Sequence, residues 1–316
     1  MTNISISTEW ATRLTTPPDN WRLGSFRNQR GQALRFACAN PSGPIQGQVV
    51  YVEGLNEPLP KTYELARDFN RQALRFAVYD RMGQGHSGRF LKERFKIHSQ
   101  GFHHDVADLI QFAESILPRD HKVTLLGHST GGLIALMAYH DRPDLFTQPF
   151  LNAPLFGMMQ PLIRNREEKL ARLTLPRAIA EAYIPKGQGW RLRGTAGWMP
   201  QNSYSSHPER MKLHDYFPQN YPYLRAGDPT IGWIQEACRA IMVVRDPRWL
   251  AQVGPVTIAT AGQDHVTDNL QTIRIMPHLK QVRHIHYVSS RHETPFETDD
   301  IRSHLIETTA KLALNG

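Results

Sequence analysis

The feature that most constrains this chain is a short apolar run, Val123 to Leu126, which passes directly into Gly127-His128-Ser129-Thr130-Gly131-Gly132. The apolar spacing Leu133, Ile134, Leu136 and Met137 follows at once. This reads as a buried strand, a tight turn and a helix. So sharp a turn holds its central serine in a strained backbone conformation, and side chains two positions away on either side would collide, so only very small residues fit there. The bare pattern G-x-S-x-G arises by chance, and it is the strand-turn-helix setting that gives it weight. Ser129 is therefore the candidate nucleophile, and the Thr130 backbone N–H a candidate donor to a developing oxyanion.

The rest of the chain supplies a sheet for that turn to stand on. Apolar runs at Gln48 to Glu53, Leu74 to Tyr79, Val123 to Leu126 and Phe150 to Ala153 alternate with helical spacing at Thr62 to Gln72 and Val106 to Leu117, as in a parallel sheet. The pattern breaks between Pro154 and Gln235, where Pro and Gly are frequent and no clean strand can be drawn. Alternation then resumes: a helix around Cys238 to Leu250, a strand Val256 to Ala261, a helix around Val266 to Met276, a strand Val282 to Val288 and a helix Asp299 to Leu314. Residues 1–153 and 236–316 are expected to form one core, with 154–235 inserted as a cap. The first thirty residues carry no readable pattern.

A serine on such a turn needs an acid and a histidine, which in the α/β-hydrolase fold follow in that order on loops after later strands. Asp264 follows the strand Val256 to Ala261, and His292 follows the strand Val282 to Val288. Asp268 competes with Asp264 but is expected inside the next helix. His292 would take the Ser129 proton, with Asp264 fixing its tautomer and stabilising its charged form. The second oxyanion donor is expected in the loop Glu53-Gly54-Leu55-Asn56-Glu57, at the Leu55 backbone N–H. The expected architecture is thus the α/β-hydrolase fold, a mostly parallel central sheet flanked by helices with an inserted cap.

Further stretches resemble one family of that fold, the lysophospholipase L2 and monoacylglycerol lipase group labelled serine aminopeptidase-like. Asp80-Arg81-Met82-Gly83-Gln84-Gly85-His86-Ser87-Gly88 is similar to its D-x-R-G-x-G-x-S-x-G loop. Asn152-Ala153-Pro154-Leu155 resembles its S-x-P-M stretch, and Arg291-His292-Glu293 through Glu297 and Arg302 resembles the end of lysophospholipase L2. Glu53-Gly54 stands where monoacylglycerol lipases have His-Gly, and Met82 where an Arg is usual. The resemblance implies an esterase acting on lipid esters, lysophospholipids or monoacylglycerols, without metal or organic cofactor. A general carboxylesterase, or an aminopeptidase or amidase with Glu53 as the candidate to hold a substrate amine, is the alternative, and a non-catalytic scaffold ranks last.

Other features narrow the partners. Gly83 to Gly88 also fits G-x-G-x-x-G, but no apolar helix follows, so no dinucleotide site is expected. His103 with His104, and His284 with His286, lack acidic or cysteine companions at ligand spacing, so no metal is expected. The net charge is +8, yet no basic-aromatic nucleic-acid motif appears and no nucleic-acid partner is expected. Cys38 and Cys238 are expected as buried free thiols. No window approaches the roughly eighteen apolar residues of a membrane span, and Met1 to Leu14 is too polar for a signal-peptide core. The expected place is the cytoplasm, with peripheral contact to an anionic inner membrane face through Arg164, Arg166, Lys169, Arg191 and Arg193. Met158, Met159, Trp198 and Trp233 are expected to line an acyl tunnel. The sequence is silent on oligomeric state.

Overall fold

The computed structural model describes residues 4–192 and 204–316. Its centre is one eight-stranded sheet of β1 (Trp21–Arg27), β2 (Ala33–Ala39), β3 (Gly47–Val52), β4 (Leu74–Tyr79), β5 (Val123–His128), β6 (Phe150–Asn152), β7 (Val256–Ala261) and β8 (Val282–Tyr287). The spatial order is β1-β2-β4-β3-β5-β6-β7-β8. β2 runs antiparallel to both β1 and β4, and every other neighbouring pair is parallel. This is the α/β-hydrolase fold, with its C-terminal strand ends gathered on one edge.

Strands β3 to β7 are buried on both faces, which explains their nearly unbroken apolar runs. The α-helices in chain order are α1 (Thr8–Thr15), α2 (Tyr63–Arg71), α3 (Phe102–Ser115), α4 (Thr130–Asp141), α5 (Glu167–Ala171), α6 (Arg177–Ala180), α7 (Pro208–Met211), α8 (Leu213–Asn220), α9 (Ile231–Val244), α10 (Pro247–Leu250), α11 (Asn269–Ile275) and α12 (Asp299–Leu314), of which α2, α3, α4, α9 and α12 supply most of the cover. One face is packed by Leu109 and Phe112 of α3, Leu133 and Leu136 of α4 and Ile241 of α9. The other is packed by Leu65 and Phe69 of α2 and Leu305 and Ala310 of α12. Each fully buried Leu or Phe contributes roughly 1.5–3 kcal/mol, so the two layers are what hold the sheet's edge rigid.

Three elements differ from expectation for local reasons. The first thirty residues form α1 and the edge strand β1; β1 keeps only Phe26 buried, so its sequence carries no continuous apolar run. The helix expected over Cys238 to Leu250 is two helices: α9 begins earlier, with the Thr230 side chain accepting from Trp233 N–H, and Pro247 starts α10 under an Asp246 cap. The helix expected from Val266 begins at Asn269, because Asp268 is its N-cap and accepts from Leu270 N–H. The segment between β6 and β7 carries α5 to α10 and no strand among the described residues. The 235/236 boundary falls inside α9.

Candidate active site

β5 delivers Ser129 at φ 54°, ψ −119°, a conformation costly to a residue with a Cβ and held here by its surroundings. Its N–H donates to the Asn152 carbonyl at 3.0 Å, while its own carbonyl accepts from Gly132, Leu133 and Leu155. The requirement for glycine is a matter of close approach. A Cβ on Gly131 would sit 1.9 Å from the Val52 carbonyl oxygen, and one on Gly127 2.7 Å from that of Gly131. The turn can hold a serine only because both flanking positions are bare.

The loops after β7 and β8 bring Asp264 and His292 together, with His292 Nδ1 2.8 Å from Asp264 Oδ2. Thr267 Oγ1 donates to that oxygen at 2.8 Å, and the other oxygen accepts N–H groups from Val266 at 2.7 Å and Thr267 at 3.0 Å. Burial alone would raise the Asp264 carboxyl, but the His292 ring and these donors outweigh it and hold it below the usual carboxylate range. Burial likewise opposes a charged His292, yet the charge and hydrogen bond of Asp264, with Glu293 and Glu57 nearby, raise its basicity. An ionised Asp264 places the proton on Nδ1 and leaves Nε2 as the ring's base, and His292 and Ser129 line the same pocket. Asp268 is occupied elsewhere, pairing with Arg164 at 3.0 Å.

The loop after β3 is fixed from several sides. Gly54 N–H donates to Glu57 Oε2 at 2.6 Å, and Asn56 N–H donates to the Gln84 side chain. Asp80 accepts N–H groups from Leu59 at 3.1 Å and His86 at 2.9 Å, so the second glycine-rich loop is a brace beneath this one. The backbone N–H groups of Leu55 and Thr130 have no acceptor among the described residues, and Leu55, Thr130 and Ser129 all line the pocket. Two uncommitted donors beside Ser129 are the arrangement an oxyanion hole would need. Glu53 is 1% exposed, accepts Arg81 N–H at 3.0 Å and does not line the pocket, so it is not placed to hold a substrate amine.

The pocket spans about 750 Å³, counting the space at its open mouth. Its lining includes the apolar Leu155, Met158, Trp233, Ile234 and Val266, while Glu57, His128, Tyr204 and Glu293 group as a polar wall. Of the four expected tunnel residues, Met158 and Trp233 line it. Met159 does not, and its N–H is tied to the Val266 carbonyl at 3.0 Å. Trp198 lies outside the described residues, as does Arg193. Leu155 and Phe156, expected in the cap, belong to the main core.

The polar wall was missed by sequence reasoning. Glu57, His128 and Glu293 offer ligand atoms within 4.8 Å of one another, but Lys61 Nζ already bonds both carboxylates, at 2.7 and 2.8 Å, and supplies the positive charge there. Burial pushes His128 down to about 4, so it is a neutral ring at ordinary pH. His284 and His286 lie exposed on β8, and both bond the Thr260 hydroxyl at 2.9 Å. Cys238 is buried, whereas Cys38 is only half-buried, and burial raises its thiol to about 11. Arg191 pairs with Asp228 at 2.8 Å.

Comparison with known proteins adds three relatives and a family. A profile described as serine aminopeptidase, S33, matches residues 43–299. Lysophospholipase L2 of Escherichia coli is 28% identical over 273 residues, covering 81% of this chain and 76% of its own. Probable lysophospholipase L2 of Haemophilus influenzae is 25% identical over 273 residues, covering 85% and 84%. A soluble variant of monoglyceride lipase from Saccharomyces cerevisiae, solved with a substrate analog, superposes with a TM-score of 0.70 at 16% identity, covering 94% and 95%.

Proposed function

Because the chain belongs to the serine aminopeptidase S33 family, we propose that it is a serine esterase that hydrolyses lipid carboxylic esters, lysophospholipids or monoacylglycerols. Ser129 attacks the ester carbonyl as His292 Nε2 takes its proton, and the oxyanion is met by the N–H groups of Leu55 and Thr130. His292 then protonates the leaving alcohol, and in a second step activates the water that releases the acid. Asp264 keeps the imidazole in the required tautomer throughout.

The observation that carries this reading is the mixed lining of the pocket beside Ser129 and His292: Leu155, Met158, Trp233 and Ile234 suit an acyl chain, and the polar wall suits a hydrophilic alcohol. The names of the two lysophospholipase L2 relatives support the same substrate class. Residues 154–235 act as the cap over this pocket. Their outer surface supports peripheral contact with an anionic bilayer, since Leu162, Leu173 and Ile179 are exposed among the exposed Arg166, Lys169, Arg172 and Arg177. No helix among the described residues is long and apolar enough to cross a membrane.

The test is hydrolysis of a panel from p-nitrophenyl butyrate to lysophosphatidylcholine and monoacylglycerol, comparing wild type with Ser129→Ala. Fastest turnover of the long-chain lipids, abolished in Ser129→Ala, is expected. Turnover of short esters alone overturns the lipid assignment. Liposome sedimentation at two salt concentrations tests the surface, and unchanged binding after charge reversal of Arg166 and Lys169 removes that part.

A further inference from the structure

Lys61 is a lysine with its side chain wholly shielded from solvent, an expensive state for an ammonium unless its surroundings return the lost hydration. Its Nζ donates to Glu57 Oε1 at 2.7 Å and Glu293 Oε2 at 2.8 Å, lies 3.0 Å from His214 Nε2, and sits 4.2 Å above the Phe296 ring. These partners come from separate parts of the chain. Glu57 belongs to the loop after β3, and its other oxygen holds Gly54 N–H at 2.6 Å and the Tyr51 hydroxyl at 3.0 Å. Glu293 follows His292 directly. His214 is on α8, and its Nε2 lies 2.7 Å from Glu293 Oε1, while Glu293 N–H donates to the Tyr204 carbonyl at 2.7 Å.

We propose that Lys61 is a positioning residue that clamps the oxyanion loop, through Glu57, to the His292 loop, through Glu293, with His214 fastening the α8 segment to the same clamp. The inference rests on the serine-esterase reading of the site. Neither Lys61 nor Glu57 touches the reacting atoms; they set the spacing between two groups that do. The loop carrying Leu55 N–H and the loop carrying His292 leave different strands, and the Glu57–Lys61–Glu293 bridge ties them together beside the pocket. A shift of a few tenths of an ångström in either loop weakens contacts to the transition state more than contacts to the bound ester.

The clamp also carries charge. His292 is faced by Asp264 from the β7 loop, Glu293 on its own loop, Glu57 and Lys61 from the β3 side, and the neutral His128 ring on β5, whose centroid is 4.7 Å away; His214 on α8 acts through Glu293. Removing the ammonium takes away the cation that the two carboxylates share, leaving Glu293 its contact with His214, and makes His292 harder to deprotonate. Removing the Glu293 charge does the reverse.

The test is p-nitrophenyl ester kinetics over pH for wild type, Lys61→Met and Glu293→Gln, with folding followed by near-ultraviolet circular dichroism and Ser129 labelling by a fluorophosphonate. Expected for Lys61→Met is a fall of about 10²-fold in kcat, on the scale of losing an oxyanion donor, with KM within about threefold and the acid limb of kcat/KM moved to higher pH. Expected for Glu293→Gln is an acid limb moved to lower pH. A folded Lys61→Met with wild-type kcat and limb overturns the clamp. If Lys61→Met does not fold, Glu293→Gln decides alone, and an unmoved or upward-moved limb overturns it. Failure of the wild type itself to label at Ser129 counts against the esterase reading instead, so the two failures are distinguishable.

Discussion

Replacing Asp264 by Asn tests the orientation of the histidine, because the structure dictates which way the new amide turns. One Asp264 oxygen accepts Val266 N–H at 2.7 Å and Thr267 N–H at 3.0 Å, and the other faces His292 Nδ1 at 2.8 Å. The Asn carbonyl must stay on the backbone donors, so its NH₂ points at Nδ1 and forces the ring proton onto Nε2. That tautomer cannot accept from Ser129. Turning the amide round sets NH₂ against two N–H groups and forfeits two hydrogen bonds, about 2–3 kcal/mol, which leaves roughly one molecule in 30 to 150 productive. Even those molecules lack the carboxylate that stabilises the imidazolium, worth about 1.5–3 kcal/mol or another ten- to hundredfold. The expected loss in kcat is therefore about 300- to 15,000-fold, measured with p-nitrophenyl butyrate against a Ser129→Ala baseline, at unchanged circular dichroism. A loss under about tenfold refutes the assignment of Asp264 as the orienting acid.

Three further outcomes follow from the same geometry. Gly131→Ala places a Cβ 1.9 Å from the Val52 carbonyl, so a destabilisation of at least about 3 kcal/mol and loss of fluorophosphonate labelling are expected; normal melting and labelling contradict the turn. Arg210, fully buried, pairs with Glu64 at 2.8 Å and also holds the Glu297 carbonyl and Asp299. Arg210→Met strands Glu64 in part and is expected to cost about 3 kcal/mol in urea unfolding, a shift under about 1 kcal/mol arguing against it. In the wild type, the His292 base must be neutral and its basicity is raised, so kcat/KM should fall with decreasing pH from a midpoint above the ordinary histidine value of about 6.5. An acid limb centred below about 6 shows that Asp264 does not raise it.

Much of the site was legible because it depends on local pattern and chain order. Ser129 announces itself by strand, glycines and helix within fifteen residues. Asp264 and His292 follow from counting strands, since each sits just past a readable one. The limits of α9, α10 and α11 moved at polar caps, Thr230, Asp246 and Asp268, where a single side chain outweighs the apolar periodicity.

What the sequence alone determined is the architecture and the order of Ser129, Asp264 and His292, because buried parallel strands and a glycine-bound turn leave patterns a few residues long. Tertiary structure decided the polar wall. Lys61 meets Glu293 across 232 residues and His214 across 153, and no local spacing encodes such a meeting. It also decided which of Met158, Met159 and Trp233 reach the pocket, since neighbouring methionines look alike in sequence and differ only in the direction the folded backbone turns them. Buried charge is paired by where the chain returns in space, and that return is set by the packing of the whole sheet.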